Sequence, residues 1–589
     1  MAVIFLNWAY ILLTCYCTGH ALLAFFAGRF KYEGRLGFLS VVFTGFSVIT
    51  AYSGYFSIFY KVGLAANAVL CLAVAVCIYI DRKHYRELLV KAWEQTGKIK
   101  SKGIRIILFR MVQLCAGTAV FFVIIYFTCY GTFHPDSGLY HAQSIRWIEE
   151  YGVVKGLALV QNRFGYNSAF FSVSALYSFS FLGQSLHGVN GFMAMLVTLY
   201  AYFGITDSLS DKSFGDLHTI TAIAPFLYTV IGGKELISPA TDPILLYMVF
   251  GIIILWTELI DRDETDVMPY ALLCVLTAFL VSVKLSVGVL VLLVVKPAIE
   301  LVKLRRVKEI IVCLLAGVIL NLPYFIRNVI ISGWLIYPFP TIDLFDVPWK
   351  LPAESARHDA DEITTWARYV RDASKIDQSQ TEWVPVWWKG QTSIERFLSA
   401  TAFLALAAGC VWCIIALIRL VRSGGAIQAE KDKNRLKDML FTELIIILGF
   451  LFWFLSAPLI RYGYLYLLLV PVTTAAVFVN DKTACKKAGK AAAAVLILAL
   501  IYPVGITAAR DIEYIYRNWS SRYALYQQDY PVAETGRRDF GGVTFYYPKE
   551  PGTPVWYTAF PSVLYEDNFD HMEYSGESIS DGFRLKGAE

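Results

Sequence analysis

Charge is what this chain has least of: Asp, Glu, Lys and Arg make up 17% of its 589 residues, against 57% hydrophobic. The net charge of +5 is small for that length, and the basic residues gather in a few loops, so the reading has no nucleic-acid partner in it. Nearly all of the eleven cysteines (Cys15, Cys17, Cys71, Cys77, Cys274, Cys313, Cys410 and Cys413 among them) fall inside apolar runs. They lack zinc-ligand spacing and a long soluble loop, so neither a disulfide framework nor a metal site is predicted. The opening MAVIFLNWAYILL carries no basic residue ahead of its apolar run, and the first, Arg29, follows it; the segment reads as a first membrane span rather than a cleaved signal. Internal repeats and low-complexity segments are absent.

What is there is hydrophobic length. The mean hydropathy is +0.53, and many runs approach the roughly 20 residues that cross a bilayer core. Spans are predicted near 5–28, 36–60, 62–80, 104–130, 185–206, 217–234, 242–260, 268–285, 286–300, 308–326, 396–420, 439–457, 463–480 and 489–508. The predicted fold is an all-α polytopic transmembrane bundle of about 12–14 helices, with loop helices and a small carboxy-terminal tail on one side. Residues 1–508 form the membrane module and 509–589 the tail, whose Tyr-rich, turn-rich stretch GGVTFYYPKEPGTPVWYTAF reads as short strands. Residues 167–182 are a further apolar stretch, short enough for a half-inserted helix.

Four loops hold the basic residues. They are Arg29, Lys31 and Arg35; the run from Arg82 to Arg105 that includes Lys100 and Lys102; Lys303 to Lys308; and Arg419 to Lys437. An even number of predicted spans separates each from the next, so one assignment puts all four in the cytoplasm, because Lys and Arg near span ends mark that side. Both termini, the first large loop (131–168) and the second (325–395) then face outward.

The stretch GTFHPDSGLYHAQSIRWIEEYGVVKGLALVQNRFGYNS, residues 131–168, crowds Asp136, Tyr140, His141 and Arg163 at the membrane boundary. Other polar residues fall at the same depth: Asp242 in SPATDPILLY, Lys284 in VSVKLS, Arg327, Asn328 and Tyr337 in YFIRNVIISGWLIYPFP, and Arg461 and Tyr462 in SAPLIRYGYLY. Ionisable groups at a bilayer are costly and usually face a polar cavity, so a shared depth predicts a shared cavity. Each also admits a plainer role. Arg327 and Arg461 suit interface anchors, Asp242 before Pro243 suits a helix cap, Asp136 suits a turn, and His141 suits a structural hydrogen bond. Lys284, flanked by apolar runs, needs a counter-ion. The Trp-rich WVPVWWKG (383–390) suits either an interfacial belt or a platform for a sugar face.

A positioned carboxylate can take the proton of an attacking hydroxyl, and arginines at its level can hold a phosphate leaving group through charge-assisted hydrogen bonds. Glycosyl transfer from a lipid-linked sugar phosphate needs both.

With those residues in place, the sequence resembles the GT-C superfamily of membrane glycosyltransferases, which includes protein O-mannosyltransferases and the lipid A aminoarabinose transferase. The likeness covers most of residues 100–480 and rests on Asp136 in HPDSGLYHAQ, Asp242 in ATDPILL, Arg327-Asn328 with Tyr337-Pro338, and Arg461-Tyr462-Gly463. It implies an inverting enzyme on the outer face of a bacterial inner membrane, taking a polyprenyl-phosphate-linked sugar donor and a glycan, lipid or protein acceptor. Asp136 would be the general base with Asp242 assisting. Arg327, Arg461 and Arg163 or Lys284 would contact the phosphate, and Tyr140, His141, Asn328, Tyr337 and Tyr462 would complete the substrate pocket. Many members carry paired acids in the first loop, whereas here Ser137 and Gly138 follow Asp136; this departure favours a reaction without a divalent metal or other cofactor. Two rivals remain: an O-antigen ligase or polymerase using polyprenyl-pyrophosphate glycans, and a secondary transporter, which would place its polar residues near the midplane on broken helices.

Overall fold

A computed structural model describes the chain except for residues 35–36, 99–103, 212, 377–380, 423–429, 482–485 and 588–589. Three of the basic-loop residues, Arg35, Lys100 and Lys102, lie outside the described set. The described chain is an all-α polytopic bundle with very little sheet. Eleven of its helices are long and apolar enough to cross a membrane, or twelve if Leu64–Ile80 and Arg82–Lys91, bent by 73°, count as one span.

The sequence predicts about fourteen spans, and the difference has local causes. The 217–234 run breaks at Ala222 into Leu217–Thr221 and Ile223–Gly232, and Val267–Val283 is only 17 residues long. Residues Leu285–Val294 form a tight 3-10 stretch that runs on into the helix Val295–Lys303. The 167–182 stretch forms the short helix Ala169–Tyr177, whose nine residues are all buried in protein.

Helices alternate direction, so two ends can be told apart by their side-chain pairs. At one end Arg435 binds Asp261 (2.6 Å), Lys296 binds Asp438 (2.7 Å) and Arg419 binds Asp481 (2.8 Å). Arg29, Lys31 and the 303–308 cluster are at this end too. At the other end the Met1 amino group donates to the Tyr523 carbonyl (2.6 Å), and Asn190 donates to the carbonyls of Ser238 and Ala240. Both termini and the large loops belong to this second end. The two most enclosed spans are Thr241–Asp261, 89% buried over its apolar window, and Ile460–Asn480, 78% buried. They begin at the second end with Asp242 and Arg461, so those side chains sit on the bundle axis. Val307–Ser332, which carries Arg327, is 17% buried over its window and belongs to the periphery.

Above the second end lies an extramembrane cap with its own core. Trp147, Val154 and Phe164 from the first loop, Trp334, Tyr337 and Leu351 from the second, and Phe545, Phe569 and Phe583 from the tail pack into one cluster. The last span, Lys486–Asn518, runs about ten residues past the predicted boundary at 508. The tail then forms two small antiparallel sheets, Thr535–Phe540 with Val543–Pro548 and Met572–Tyr574 with Phe583–Leu585. It is seated on the first loop: the amides of Val555 and Trp556 donate to the Gly138 carbonyl (3.1 and 3.0 Å), and Gln143 and Arg146 donate to carbonyls of residues 556–559.

Candidate functional site

The chain leaves the helix Ile104–Cys129 and is fixed against the 233–238 turn, where the Thr132 amide donates to the Lys234 carbonyl (2.8 Å) and the His134 amide to Ser238 Oγ (2.7 Å). Ser137–His141 then makes a π-helical turn that continues into the helix Ala142–Glu150. Such wide turns present side chains that a regular helix would withhold. Gly138 in this turn must be glycine: a Cβ there would lie 2.6 Å from Pro554 Cβ and 2.7 Å from the Trp556 ring. The tail thus crosses directly over the turn that carries Asp136.

Arg461 is the second residue of its helix, held by a turn at 457–459 that two tryptophans clamp. Trp387 Nε1 donates to the Pro458 carbonyl (2.6 Å) and Trp453 Nε1 to the Leu459 carbonyl (3.1 Å). A Cβ on Gly463 would lie 2.0 Å from Trp453, so that glycine is what lets the clamp close. The WVPVWWKG segment accordingly forms the helix Trp383–Gly390 with Trp383 and Trp387 buried, a structural brace rather than an open platform.

Four charged groups meet here from positions more than 300 residues apart. Arg461 Nη2 donates to Asp136 Oδ2 (2.9 Å), and its Nε lies 3.1 Å from Asp242 Oδ2, paired by charge though not aligned for a hydrogen bond. Lys284, at the break between Val283 and Leu285, donates to Asp242 Oδ1. Its ammonium also lies 3.7 Å from the centre of the Tyr462 ring, and Arg461 Nη2 donates to the Tyr462 hydroxyl (3.3 Å). The cap reading of Asp242 fails, since the N-cap of its helix is Ala240 and both Asp242 oxygens face cations. Two acids and two bases sum to zero charge, the condition for keeping them out of water.

His134 completes the cluster, and the sequence reading gave it no role. Its ring accepts from Arg461 Nη1 (2.9 Å to Nδ1) and from the Asp136 amide (3.1 Å). Burial, and then the facing Arg461 charge, pull its pKa down to about 4, so it is neutral at pH 7. Its 3.6 Å approach to Asp136 is therefore no ion pair at that pH. The spacing His134-Pro-Asp136 was the available signal. Asp136 itself would be pushed up by burial, but Arg461 and the two neighbouring histidines outweigh this and hold it well below the usual carboxylate range. Burial lowers His141 to about 3; its ring lies beside Tyr140 (4.3 Å between centroids), and Ser137 Oγ is 3.4 Å away.

The remaining predicted residues divide. Tyr140 touches Tyr166 (6.0 Å), and Tyr166 touches Tyr337 (5.6 Å). Tyr337 is not open to a ligand: its hydroxyl donates to the buried Asp359, which also accepts from Tyr166 (3.1 Å) and Asn162 (2.8 Å). Asn328 is likewise internal, accepting from Asn167 (2.9 Å) and donating to the Leu335 carbonyl (2.9 Å). Arg163 is half-buried near Tyr140 and has no ion pair among the described residues. Arg327 is not joined to the acid cluster. It donates to Ser57 Oγ (2.6 Å) and Asn167 Oδ1 (3.3 Å), and Phe171 separates the two places, its ring lining the Arg327 cavity and packing on His141 at 5.4 Å.

Among the described residues, no group of three or more His, Cys, Asp or Glu side chains is disposed to hold a metal ion. Asp136 Oδ2 and both oxygens of Asp242 are instead engaged by Arg461 and Lys284. The arrangement can therefore exchange ion-pair partners: an anion arriving at Arg461 and Lys284 releases a carboxylate. No curated protein and no solved structure matches the chain. A family model matches residues 1–468, from the first span through the Arg461 turn, and the chain belongs to that family, described as a domain of unknown function (DUF8201).

Proposed function

We propose that this protein is a membrane glycosyltransferase that moves a sugar from a polyprenyl-phosphate donor to a glycan, lipid or protein acceptor on the outer face of a bacterial cytoplasmic membrane. The observation that carries this reading is the convergence of Asp136, Asp242, Lys284 and Arg461 at the end of the bundle opposite the basic loops. Positive loops favour the cytoplasm, which makes the cluster's end the outer one. A cluster at one end, under a cap, also suits a lipid-linked substrate entering from the bilayer better than a solute crossing it.

In this reading the donor phosphate settles on Arg461 and Lys284, with Arg163 as a third cation. The resting Arg461–Asp136 pair makes Asp136 too weak a base, and the phosphate corrects this by drawing the guanidinium away. Asp136 then takes the proton of the acceptor hydroxyl as that oxygen attacks the anomeric carbon and the lipid phosphate departs. Asp242 keeps Lys284 in place. The test is transfer by purified protein in liposomes from a panel of polyprenyl-phosphate sugars. Wild type should transfer at least one of them, and Asp136→Asn, which leaves one cation of the cluster unmatched and lowers stability, should lower the rate by about a hundredfold to ten-thousandfold at a temperature where it remains folded. Full activity of the variant would remove Asp136 as the base.

A further inference from the structure

Behind Phe171 lies a place where the charge balance does not close. Arg327 is 3% exposed and makes no ion pair among the described residues; its only side-chain partners are the neutral Ser57 and Asn167. Its Nε has no acceptor. A guanidinium stays protonated at any physiological pH, and an isolated buried charge is far costlier than a paired one. The Ser57 oxygen and one amide oxygen cannot supply the missing negative charge.

Arg327 lines a cavity of ≈ 10 Å³ together with Trp147, Ser144, Asn167, Phe164 and Phe171. Trp147 is fully buried, and its indole N–H is a second donor without an acceptor. The two residues that carry these unsatisfied donors, one of them cationic, therefore line one small cavity that no carboxylate lines among the described residues. A neutral water would satisfy hydrogen bonds and leave the charge unmatched. A water-sized sphere fits with a little room to shift, which suits a monatomic anion better than a phosphate group.

We propose that the Arg327 cavity is a binding site for one small halide-class anion, held by the Arg327 guanidinium and the Trp147 indole N–H. The site joins three parts: the outer end of the span Phe38–Phe59 through Ser57, the peripheral span Val307–Ser332, and the helix Ala142–Glu150 through Trp147. The anion thereby fastens the cap's first loop to the bundle, whatever chemistry the acid cluster performs.

The experiment uses the full-length protein in detergent, dialysed into sodium gluconate and titrated at constant ionic strength with chloride, bromide or inorganic phosphate. Chloride and bromide should each raise the melting temperature saturably by several degrees, phosphate should not, and crystals grown in bromide should show an anomalous peak beside Arg327. Trp147→Phe, which keeps the ring and removes the N–H, should weaken halide binding about tenfold. Arg327→Gln should abolish it. If Arg327→Gln does not fold, the wild-type titration, the bromide peak and Trp147→Phe decide alone. A wild-type melting temperature indifferent to halide, or unchanged halide affinity in Trp147→Phe, overturns the site. Stabilisation by phosphate and not by halide overturns the halide class and turns the cavity into a phosphate site.

Discussion

Arg461 and Arg327 were indistinguishable as letters: each sits near the end of a span away from the basic loops, in an apolar setting, beside aromatic residues. The fold gives them opposite electrostatics. Arg461 opens the Ile460–Asn480 span on the bundle axis and meets two carboxylates, whereas Arg327 lies on a peripheral span and meets none among the described residues. A cation with two acids is held firmly and can change partners without leaving a charge bare. A cation with none is a demand the chain itself does not meet. The depth of an ionisable group in a membrane protein thus announces a function, and the group's partners decide which one.

The most damaging way to break the comparison is to remove Arg461. Arg461→Leu leaves Asp136 and Asp242 with Lys284 alone, one unmatched buried negative charge. Breaking such a pair costs about 3–5 kcal/mol, so the melting temperature should fall steeply and transfer should vanish. Arg461→Leu combined with Asp136→Asn restores neutrality and should recover much of the stability but none of the activity. Equal stability of the single and double variants, read by thermal unfolding, would show that the cluster is not coupled.

A smaller effect separates position from chemistry. Gly138→Ala puts a methyl group into Pro554 and Trp556, and overpacking of this kind costs about 1–3 kcal/mol. The tail should lift from the π-helical turn, seen as faster proteolysis after residue 527, and transfer should drop because Asp136 is two residues away. The same substitution should touch halide binding at Arg327 only mildly, through Trp147, which packs on Phe560 and Phe583 of the tail, since no tail residue lines that cavity. Loss of the halide response would mean that the two places are one cooperative unit.

The depth of the polar residues was legible because hydrophobic length reports it directly. So were the acid-bearing first loop and the two-sided distribution of charge. What hydropathy cannot see is a backbone break, as at Ala222, which splits the apolar run 217–234 into two short helices. Tyr337 was read as substrate-facing because its partner Asp359 lies 22 residues on, in a loop whose path no periodicity fixes. His134 was passed over because its one signal, the two-residue spacing from Asp136, is short and common, and the tail was opaque because its contacts with Gly138 and Gln143 span about 400 residues of sequence.

The mildest test uses pH. His134, His141 and His187 are all lowered by burial, to about 4, 3 and 3, so each is neutral in the folded protein while the unfolded chain accepts a proton near pH 6.5. Their stabilising contribution is whole above pH 6.5 and is lost as the pH falls toward 4. Glu149, which accepts from Tyr557 of the tail (2.5 Å), runs the other way: burial raises it to about 7. Its contribution is whole below the ordinary glutamate value and is lost as the pH rises toward 7. Glu235, also raised by burial, runs the same way as Glu149, so the test is a difference: Glu149→Gln, which silences one opposing group, should lose more melting temperature between pH 7 and 5 than wild type does, and an unchanged slope would mean that Glu149 does not titrate in this range. Asp136 stays ionised throughout because Arg461 holds it low, and among the described residues lining the Arg327 cavity none other is titratable. The halide increment in melting temperature should therefore be the same at pH 5 and pH 7 even as the baseline moves, which separates the anion site from the acid cluster without any substitution.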